Sequence, residues 1–164
     1  MWLIGMMGSG KTSVGRLAAD RLVVPFYDTD EAIVALAGVE ITRIWRDHGE
    51  AGFREMEKQV IQQVPPGVLA AAGGGAVLAP ENRQTMRSRP PVIWLRALPE
   101  TLSHRIGATT DRPLLNSVMA RVDELQRILD ARETDYQAAA THVLDTDGRD
   151  LDDIAGEVIE LWSG

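Results

Sequence analysis

Cysteine is absent from the 164-residue sequence. This excludes disulfide bonds and thiolate metal sites, and it is compatible with a reducing compartment. Long apolar runs are also missing, since none approaches the roughly 18 residues of a membrane span, and no basic segment of the signal-peptide type precedes the first motif. Basic residues are in the minority, with 17 Lys and Arg against 24 Asp and Glu and a formal net charge of −7. That balance argues against a broad nucleic-acid surface and leaves room only for a local basic cleft. We therefore expect a cytoplasmic protein with no membrane or nucleic-acid partner.

The amino-terminal motif predicts a polyphosphate site. Residues 5–12 read GMMGSGKT, a complete G-x-x-x-x-G-K-T phosphate loop, between the apolar stub 2–4 and a helical pattern. A strand, a glycine turn and a helix start together direct backbone N–H groups at one point, where phosphates bind. In this motif Lys11 reaches the β- and γ-phosphates, and the Thr12 hydroxyl can ligate Mg²⁺. A glycine-rich turn without a ligand is the alternative, and the complete motif in this context disfavours it.

Alternating apolar segments and helical patterns predict the fold. Short buried strands are expected at 2–4, 23–27, 68–72, 91–95 and 142–145. Helices are expected after the phosphate loop and at 31–37, 50–64, 100–106, 117–139 and 151–162. This alternation indicates a three-layer α/β/α fold around a five-stranded parallel sheet. The Ala-rich third strand is the weakest of the five, because Ala is a poor strand former. The length and the lack of a linker indicate a single domain, 1–164.

A polar segment at about 107–117 is flanked by helical patterns and contains Arg112 followed by Pro113. An arginine beside a rigid proline in a glycine-bearing loop can close over a triphosphate. We therefore expect this segment to be a mobile lid.

Two carboxylates follow the second strand, in the sequence Asp28-Thr29-Asp30. Ligands in open parallel sheets bind beyond the carboxyl ends of strands, and strand alternation directs both Asp side chains to the same side. One carboxylate can enter a Mg²⁺ shell, while the other can accept a proton from a substrate hydroxyl. The alternative is that either Asp merely caps the following helix, for which Asp30 before Glu31 is a suitable N-cap.

Glycines and isolated arginines provide the other candidate groups. The run 73–75 is all glycine at the end of the third strand, where backbone N–H groups can approach a ligand, although a flexible turn explains it equally well. Arg54 shares a helix face with Glu50 and Glu57, and by itself such a triplet is more often a solvated charge stripe. The other candidate arginines are Arg105, whose guanidinium plane could stack on an adenine, and Arg132, which by default is a surface residue. The three histidines (His48, His104 and His142) share no metal-ligand spacing, and we assign them no role.

The order and spacing of these motifs resemble the shikimate kinases, small phosphate-loop phosphotransferases of aromatic amino-acid (chorismate) biosynthesis. The likeness extends over essentially the whole chain. The segments that carry it are GMMGSGKT (5–12), DTD (28–30), GEAGFREME (49–57), GGGA (73–76), RPLL (112–115) and RETDY (132–136). The resemblance implies a kinase fold of the nucleoside-monophosphate-kinase type with strand order 2-3-1-4-5. It also implies ATP with Mg²⁺, transfer to the 3-hydroxyl of shikimate, a shikimate-binding region at about 30–62, and a monomer.

The resemblance also implies a role for each matching residue. Lys11, Asp30 and Arg112 are the expected catalytic residues, with Asp30 as the base and Arg112 as the lid arginine over the phosphoryl group. Thr12 and Asp28 are expected at the metal. Shikimate is expected to contact Asp30, Arg54, Gly74, Gly75 and Arg132, with the arginines on its carboxylate and the glycines offering backbone N–H groups. ATP is expected to contact Gly8, Ser9, Gly10, Lys11, Thr12, Ser13, Arg105 and Arg112.

The chain departs from the family pattern at three places. Asp111 adds a negative charge before the lid arginine, which puts nucleotide affinity in question. Thr134 stands where many members carry Pro, and Ala71-Ala72 brings no hydroxyl to the metal shell. None of these changes removes a group with an expected chemical role.

Two other functions are compatible with the phosphate loop. A gluconate-type sugar-acid kinase would share the loop and an anionic polyol substrate, although the segments 73–76 and 132–136 favour shikimate. A nucleotide-binding regulatory protein would share the fold without phosphotransfer, since a fold alone does not establish activity. The presence of Asp30, Arg112 and Arg132 argues against that second alternative.

Overall fold

The computed structural model describes residues 1–107 and 118–163. The predicted lid, with Asp111 and Arg112, lies outside the described residues apart from Gly107. In chain order the strands are β1 (Trp2–Ile4), β2 (Phe26–Asp28), β3 (Leu69–Ala71), β4 (Val92–Arg96) and β5 (His142–Asp145). The helices are α1 (Lys11–Leu22), α2 (Thr29–Ala37), α3 (Ile41–Gln63), α4 (Pro80–Arg87), α5 (Pro99–Gly107), α6 (Val118–Ala139) and α7 (Leu151–Ser163), and a 3₁₀ turn covers Ala76–Leu78.

The five strands form one parallel sheet in the order β2-β3-β1-β4-β5, which confirms the predicted order. Because all strands run in the same direction, the segments that follow β1, β2 and β3 meet at one edge of the sheet. The phosphate loop follows β1, Asp28 ends β2, and the glycine run follows β3. The topology therefore brings the three candidate motifs together.

Helices cover both faces of the sheet, and successive strand residues alternate between two cores. Trp2 and Ile4 pack on one face with residues of α4 and α6, whereas Leu3 packs on the other face with α1 and α7. A third, smaller cluster joins α2 to α3 through Ile33 and Phe53. No helix within 1–107 and 118–163 combines the length and apolar character needed to cross a membrane.

The Ala-rich strand β3 forms in spite of the low strand propensity of Ala. It pairs with β1 on one side and β2 on the other, and all three of its residues are buried. Small side chains are suited to this central position, because helices pack against both of its faces. Tertiary packing therefore outweighs local propensity at this strand.

The predicted strand at 23–27 is wrong in its first half. Helix α1 extends to Leu22, and Val23 is its C-cap, in the left-handed conformation with φ 56°. A β-branched residue rarely adopts this conformation, since its Cβ crowds the following carbonyl. The strand begins only at Phe26, so apolar character alone misplaced its start by three residues.

The strain at Val23 leads to a stability prediction. Replacing Val23 with Gly removes the Cβ penalty and little packing, because this side chain is 90% exposed. We expect the free energy of unfolding to rise by about 0.5–1 kcal/mol. The midpoint of urea unfolding measures the change, with Val23→Ala as the control that retains Cβ. A fall in the midpoint for Val23→Gly would contradict this explanation.

Candidate active site

The phosphate loop connects β1 to α1 and ends at the amino terminus of the helix. Gly5, Gly8 and Gly10 all have positive φ, as the motif requires. The Lys11 ammonium donates to the carbonyl oxygens of Gly5 and Met6, both at 2.9 Å, so it lies folded across its own loop. Burial lowers the pKa of Lys11 to about 8, against the opposing effect of Asp30 and Asp28. A polyphosphate in the loop would give this ammonium a stronger partner than two carbonyl groups.

One buried group in the loop has no partner of its own. The Ser9 hydroxyl is buried, and no hydrogen-bond partner for it exists among the residues described. Helix α1 also begins without a side-chain cap on its N-cap residue, Gly10. Unsatisfied donors at a helix amino terminus suit an anionic ligand. The loop therefore fits a nucleotide polyphosphate.

Thr12 and Asp28 form the pair expected at a metal ion. The Thr12 hydroxyl donates to Asp28 Oδ2 at 2.9 Å, so the two oxygens already converge. Hydroxyl and carboxylate oxygens beside a phosphate loop are suitable ligands for Mg²⁺, which favours hard oxygen donors. The donor set therefore fits Mg²⁺.

Asp28 also caps helix α2, and this corrects one sequence interpretation. Its Oδ1 accepts from the backbone N–H of Asp30 at 3.0 Å, so the N-cap is Asp28 and the alternative cap Asp30 is wrong. Capping and metal binding are not exclusive here, because each uses a different oxygen of the same carboxylate. The carboxylate of Asp30 remains available for another role.

Asp30 lies half-buried beside the glycine run. Burial raises the pKa of Asp30, as does the charge of Asp28, while Lys11 and Arg54 oppose the shift. A Cβ placed at Gly73 would lie only 2.7 Å from Asp30 Oδ1. The lack of a side chain at Gly73 therefore allows the Asp30 carboxylate to lie close to the backbone, which favours a structural role for this glycine over a merely flexible turn.

Arg54 lies beside the same glycine run and not on a solvated stripe. Its Nη1 donates to Glu57 Oε2 at 2.8 Å, and its Nε lies 3.4 Å from Glu50 Oε1. A Cβ at Gly75 would approach Arg54 Nη2 to 2.5 Å, so this glycine also makes room for a functional side chain. The charge-stripe interpretation of this triplet is therefore wrong for Arg54 and Glu57.

Glu57 is a site residue to which sequence reasoning gave no role. Its side chain is only 1% exposed, and its Oε1 has no hydrogen-bond partner in the described part of the chain. Burial raises the pKa of Glu57, and the hydrogen bond and charge of Arg54 oppose that shift. A glutamate three residues after Arg54 was visible in the sequence, but its burial depends on the sheet and could not be inferred from spacing.

Arg132 and Tyr136 on α6 bind the glycine run. Arg132 Nη1 donates to the Gly74 carbonyl at 3.2 Å, and the Tyr136 hydroxyl donates to the same oxygen at 2.6 Å. Tyr136 is fully buried and stacks on Trp94 of β4, with ring centroids 5.2 Å apart. Burial raises its pKa to about 12, so it donates as a neutral phenol. The default surface interpretation of Arg132 does not hold.

Several of these groups line one open cavity of about 700 Å³. Its wall includes Met7 of the phosphate loop, the acid Asp30, the arginines Arg54 and Arg132, and the glycines 73–75. Trp45 and Phe53 add an aromatic side to this wall. The cavity therefore combines a carboxylate, two guanidinium groups and an apolar surface next to the phosphate loop.

A second cleft of about 410 Å³ lies on the other side of the loop. It is lined by Gly8, Ser9, Gly10, Ser13 and Arg105, all of which the sequence had suggested for nucleotide binding. Arg105 donates to the Thr146 hydroxyl at 2.9 Å and to its carbonyl at 2.7 Å, so its position is fixed. The cleft is suited in size and position to a nucleoside.

Sequence reasoning missed part of this second cleft. Arg149, Leu151 and Ile154 also line it, and Arg149 is paired with Glu157 at 2.8 Å. Their position in the sequence could have indicated them, because they follow β5 at the ligand-binding edge of the sheet. Within the two described ranges, no cluster of three or more His, Cys, Asp or Glu side chains is arranged to hold a metal ion.

A phosphate loop on a 2-3-1-4-5 parallel sheet, beside a cavity with an acid and two arginines, defines the class: a phosphate-loop kinase that acts on a small anionic alcohol. Comparison with known proteins identifies the family. The shikimate kinase family model matches residues 7–162, and the chain belongs to that family. As a member it is a small-molecule kinase that uses ATP with Mg²⁺.

Individual relatives agree with the family assignment. The chain is 44% identical over 150 residues to shikimate kinase from Ralstonia nicotianae, which covers 89% of this chain and 77% of the relative. It is 44% identical over 161 residues to shikimate kinase from Symbiobacterium thermophilum, with coverage of 96% and 92%.

Solved structures are similar over almost the whole chain. Shikimate kinase from Acinetobacter baumannii, solved in complex with shikimate, has a TM-score of 0.89 at 31% identity, covering 99% of this chain and 91% of that one. Shikimate kinase from Bacteroides thetaiotaomicron has a TM-score of 0.91 at 28% identity, with coverage of 99% and 97%.

Proposed function

We propose that this chain transfers the γ-phosphoryl group of ATP to the 3-hydroxyl of shikimate, giving shikimate 3-phosphate in aromatic amino-acid biosynthesis. The observation that carries the proposal is the cavity in which Asp30, Arg54 and Arg132 lie together beside the phosphate loop. Membership of the shikimate kinase family supports the same reaction.

The phosphate loop binds and orients the triphosphate in this proposal. Backbone N–H groups of residues 8–13 hold the phosphates, and Lys11 leaves its two carbonyl partners to neutralise charge on the β- and γ-phosphoryl oxygens. Thr12 and Asp28 hold Mg²⁺, which supplies charge neutralisation at the phosphate oxygens. Arg105 contacts the adenine in the second cleft. The family resemblance assigns Arg112, which lies outside the described residues, to the transferred phosphoryl group.

Asp30 orients the attacking hydroxyl and accepts its proton. Its raised pKa suits this role, because a more basic carboxylate accepts a proton more readily near neutral pH. The neighbouring glycines bring the backbone close to the substrate ring, and the N–H groups of Gly74 and Gly75 donate to it. Phosphoryl transfer depends chiefly on such positioning and on charge stabilisation, so no covalent intermediate with the protein is needed.

The substrate carboxylate is bound by Arg54 and Arg132. Guanidinium groups suit this task because they bind a carboxylate through two parallel N–H donors and keep their charge. Glu57 fixes one side of Arg54, and Gly74 fixes Arg132. We also propose that the chain is one kinase domain, with a shikimate-binding region at about 30–62, and that it acts as a cytoplasmic monomer.

Replacing Arg54 with Lys is expected to weaken shikimate binding roughly tenfold, the loss of one charge-assisted hydrogen bond, and to leave ATP binding unchanged. Lysine keeps the charge but lacks the planar donor pair that spans a carboxylate. Isothermal titration of both ligands measures the two dissociation constants. The matched control is Arg46→Lys on the same helix, since Arg46 is exposed and pairs only with Asp47 among the described residues. Equal losses for the two ligands would contradict the assignment.

The alternative acceptors are tested directly. ATP consumption, followed by a coupled assay with shikimate and with gluconate, is expected to rise with shikimate only. Turnover with gluconate alone would favour the sugar-acid kinase. The absence of turnover with either acceptor, in a protein that binds ATP, would favour the regulatory alternative.

A further inference from the structure

The environment of Arg54 is unusually crowded for a residue that must receive a substrate. Its guanidinium lies near the faces of two aromatic rings, 5.3 Å from the Phe53 centroid and 5.9 Å from the Trp45 centroid. Its two edges each face a carboxylate of the protein itself, Glu57 on one side and Glu50 on the other. A substrate carboxylate must therefore share or exchange one of these edges.

The two protein carboxylates differ in how firmly they hold Arg54. Glu57 is buried and accepts from Nη1 at 2.8 Å, a short bond shielded from water. Glu50 is 61% exposed, and its Oε1 is 3.4 Å from both Nε and Nη2. The contact with Glu50 is long and solvated, and such pairs contribute little. A substrate carboxylate therefore replaces Glu50, at the Nε–Nη2 edge, more readily than it replaces Glu57.

That edge is also the one a substrate needs. The Nε and Nη2 donors form a planar pair that can bind a carboxylate through both oxygens. Glu50 reaches both donors with a single oxygen, so it occupies the edge without making full use of it. Both Glu50 and Arg54 line the cavity that holds Asp30. In the substrate-free protein, Glu50 thus stands where an external carboxylate would bind.

The backbone next to Glu50 allows it to withdraw. Gly49 interrupts α3 with φ 66° and ψ −173°, so Glu50 lies in the first turn of the second helical segment. A Cβ at Gly49 would meet nothing within 4 Å. Glycine is therefore favoured here by the positive φ and not by a lack of space. A carboxylate in the first turn of a helix interacts favourably with the free N–H groups. Glu50 therefore retains a favourable position after leaving Arg54.

We propose that Glu50 is an internal competitor of the substrate, a carboxylate that occupies the Nε–Nη2 edge of Arg54 until the carboxylate of shikimate displaces it. The inference rests on the proposed function, since it requires that Arg54 bind the substrate carboxylate. It makes Glu50 a residue that weakens the binding of a carboxylate ligand only, because a neutral analogue of the substrate cannot replace the charge of Glu50 and leaves its contact with Arg54 in place.

The experiment compares three proteins by isothermal titration without nucleotide: wild type, Glu50→Gln and Glu55→Gln. Glu55 lies on the same helix, is exposed and lines neither described cavity, so its substitution matches the change in net charge. Each protein is titrated with shikimate and with its neutral primary amide. Glu50→Gln is expected to bind shikimate roughly two- to fivefold more tightly than wild type, the range of an exposed ion pair. Glu55→Gln is expected to match wild type, and the amide is expected to bind Glu50→Gln and wild type equally.

Each other result contradicts the inference in an identifiable way. Unchanged or weaker binding of shikimate by Glu50→Gln would show that Glu50 does not compete. Equally tighter binding of shikimate by Glu55→Gln would assign the effect to the change in net charge. Tighter binding of the amide by Glu50→Gln would assign it to space freed in the cavity. If wild type and both variants fail to bind shikimate, both the proposed function and this inference are wrong. Binding by wild type without the Glu50 effect overturns this inference alone.

Discussion

Substitution of Asp30 by Asn is expected to lower kcat by about 10²- to 10⁴-fold, the range of general acid–base catalysis, while shikimate still binds. The amide keeps the size of the side chain and can hydrogen-bond a hydroxyl, but it cannot accept a proton. Steady-state kinetics with Mg-ATP and shikimate give kcat, and titration gives the dissociation constant of shikimate.

The fold should not suffer from this change. Because burial raises the pKa of Asp30 in the folded protein, its charged form opposes folding at neutral pH. Neutralising it is therefore expected to leave the unfolding midpoint equal or higher. Asp20→Asn provides the control, since Asp20 is exposed on α1 and lines neither described cavity. Near-normal turnover in a pure Asp30→Asn protein would remove Asp30 from the mechanism.

Substitution of Lys11 by Ala is expected to lower kcat/KM for ATP by about 10²- to 10³-fold, as for the loss of one preorganised group that stabilises charge in a transition state. The Lys11 ammonium lies within the loop, where it donates to the Gly5 and Met6 carbonyls, and alanine supplies no charge in its place. The control is Lys58→Ala, which removes the only other lysine of the chain. Comparable losses for both variants would contradict a specific role for Lys11.

The pH dependence of ATP binding gives a second measure of Lys11. With a pKa lowered to about 8 in the free protein, Lys11 is charged below that pH and becomes neutral above it. We expect the affinity of the wild type for Mg-ATP to fall as the pH rises through about 8, and binding near that pH to take up a proton. The Lys11→Ala variant should lack both effects. A wild-type affinity that stays constant between about pH 7 and 9 would contradict the assignment.

Much of the fold could be predicted because the strongest signals are local. The phosphate loop fixes β1 and α1, and the five apolar segments gave the strands in their correct number. The strand order came from the resemblance and not from the pattern. Val23 shows the limit of the pattern, because its apolar side chain predicts a strand although the residue caps a helix in a strained, left-handed conformation.

Helix α3 shows a similar limit. Its predicted start at residue 50 coincides with the break at Gly49, yet the helical structure begins at Ile41. The preceding segment packs on α2 through a small separate cluster, and its amphipathic pattern is too short to stand out in the sequence. Tertiary contacts between adjacent helices, and not local propensity, determine this segment.

The site residues that belong to sequence motifs could be predicted, but those whose role depends on burial could not. Asp30 follows from its position after the second strand, whereas Arg54 and Arg132 follow from the family resemblance, and the structure brings the three to one cavity. Glu57 and Tyr136 acquire their roles only because other elements cover them, which no spacing reveals. The contact of Asp28 with Thr12 likewise depends on the position of α1 against β2, whereas its capping of α2 is a local contact with the Asp30 N–H group.

Identification of the product tests the central claim most directly. The purified protein is incubated with Mg-ATP and an equimolar mixture of shikimate and gluconate, and the products are identified by mass spectrometry and by phosphorus–proton couplings in NMR spectra. We expect shikimate phosphorylated at the 3-hydroxyl as the single phosphorylated acid. Phosphogluconate, shikimate phosphorylated at another hydroxyl, or the absence of any phosphorylated acid would contradict the claim that Asp30, Arg54 and Arg132 form a site for shikimate.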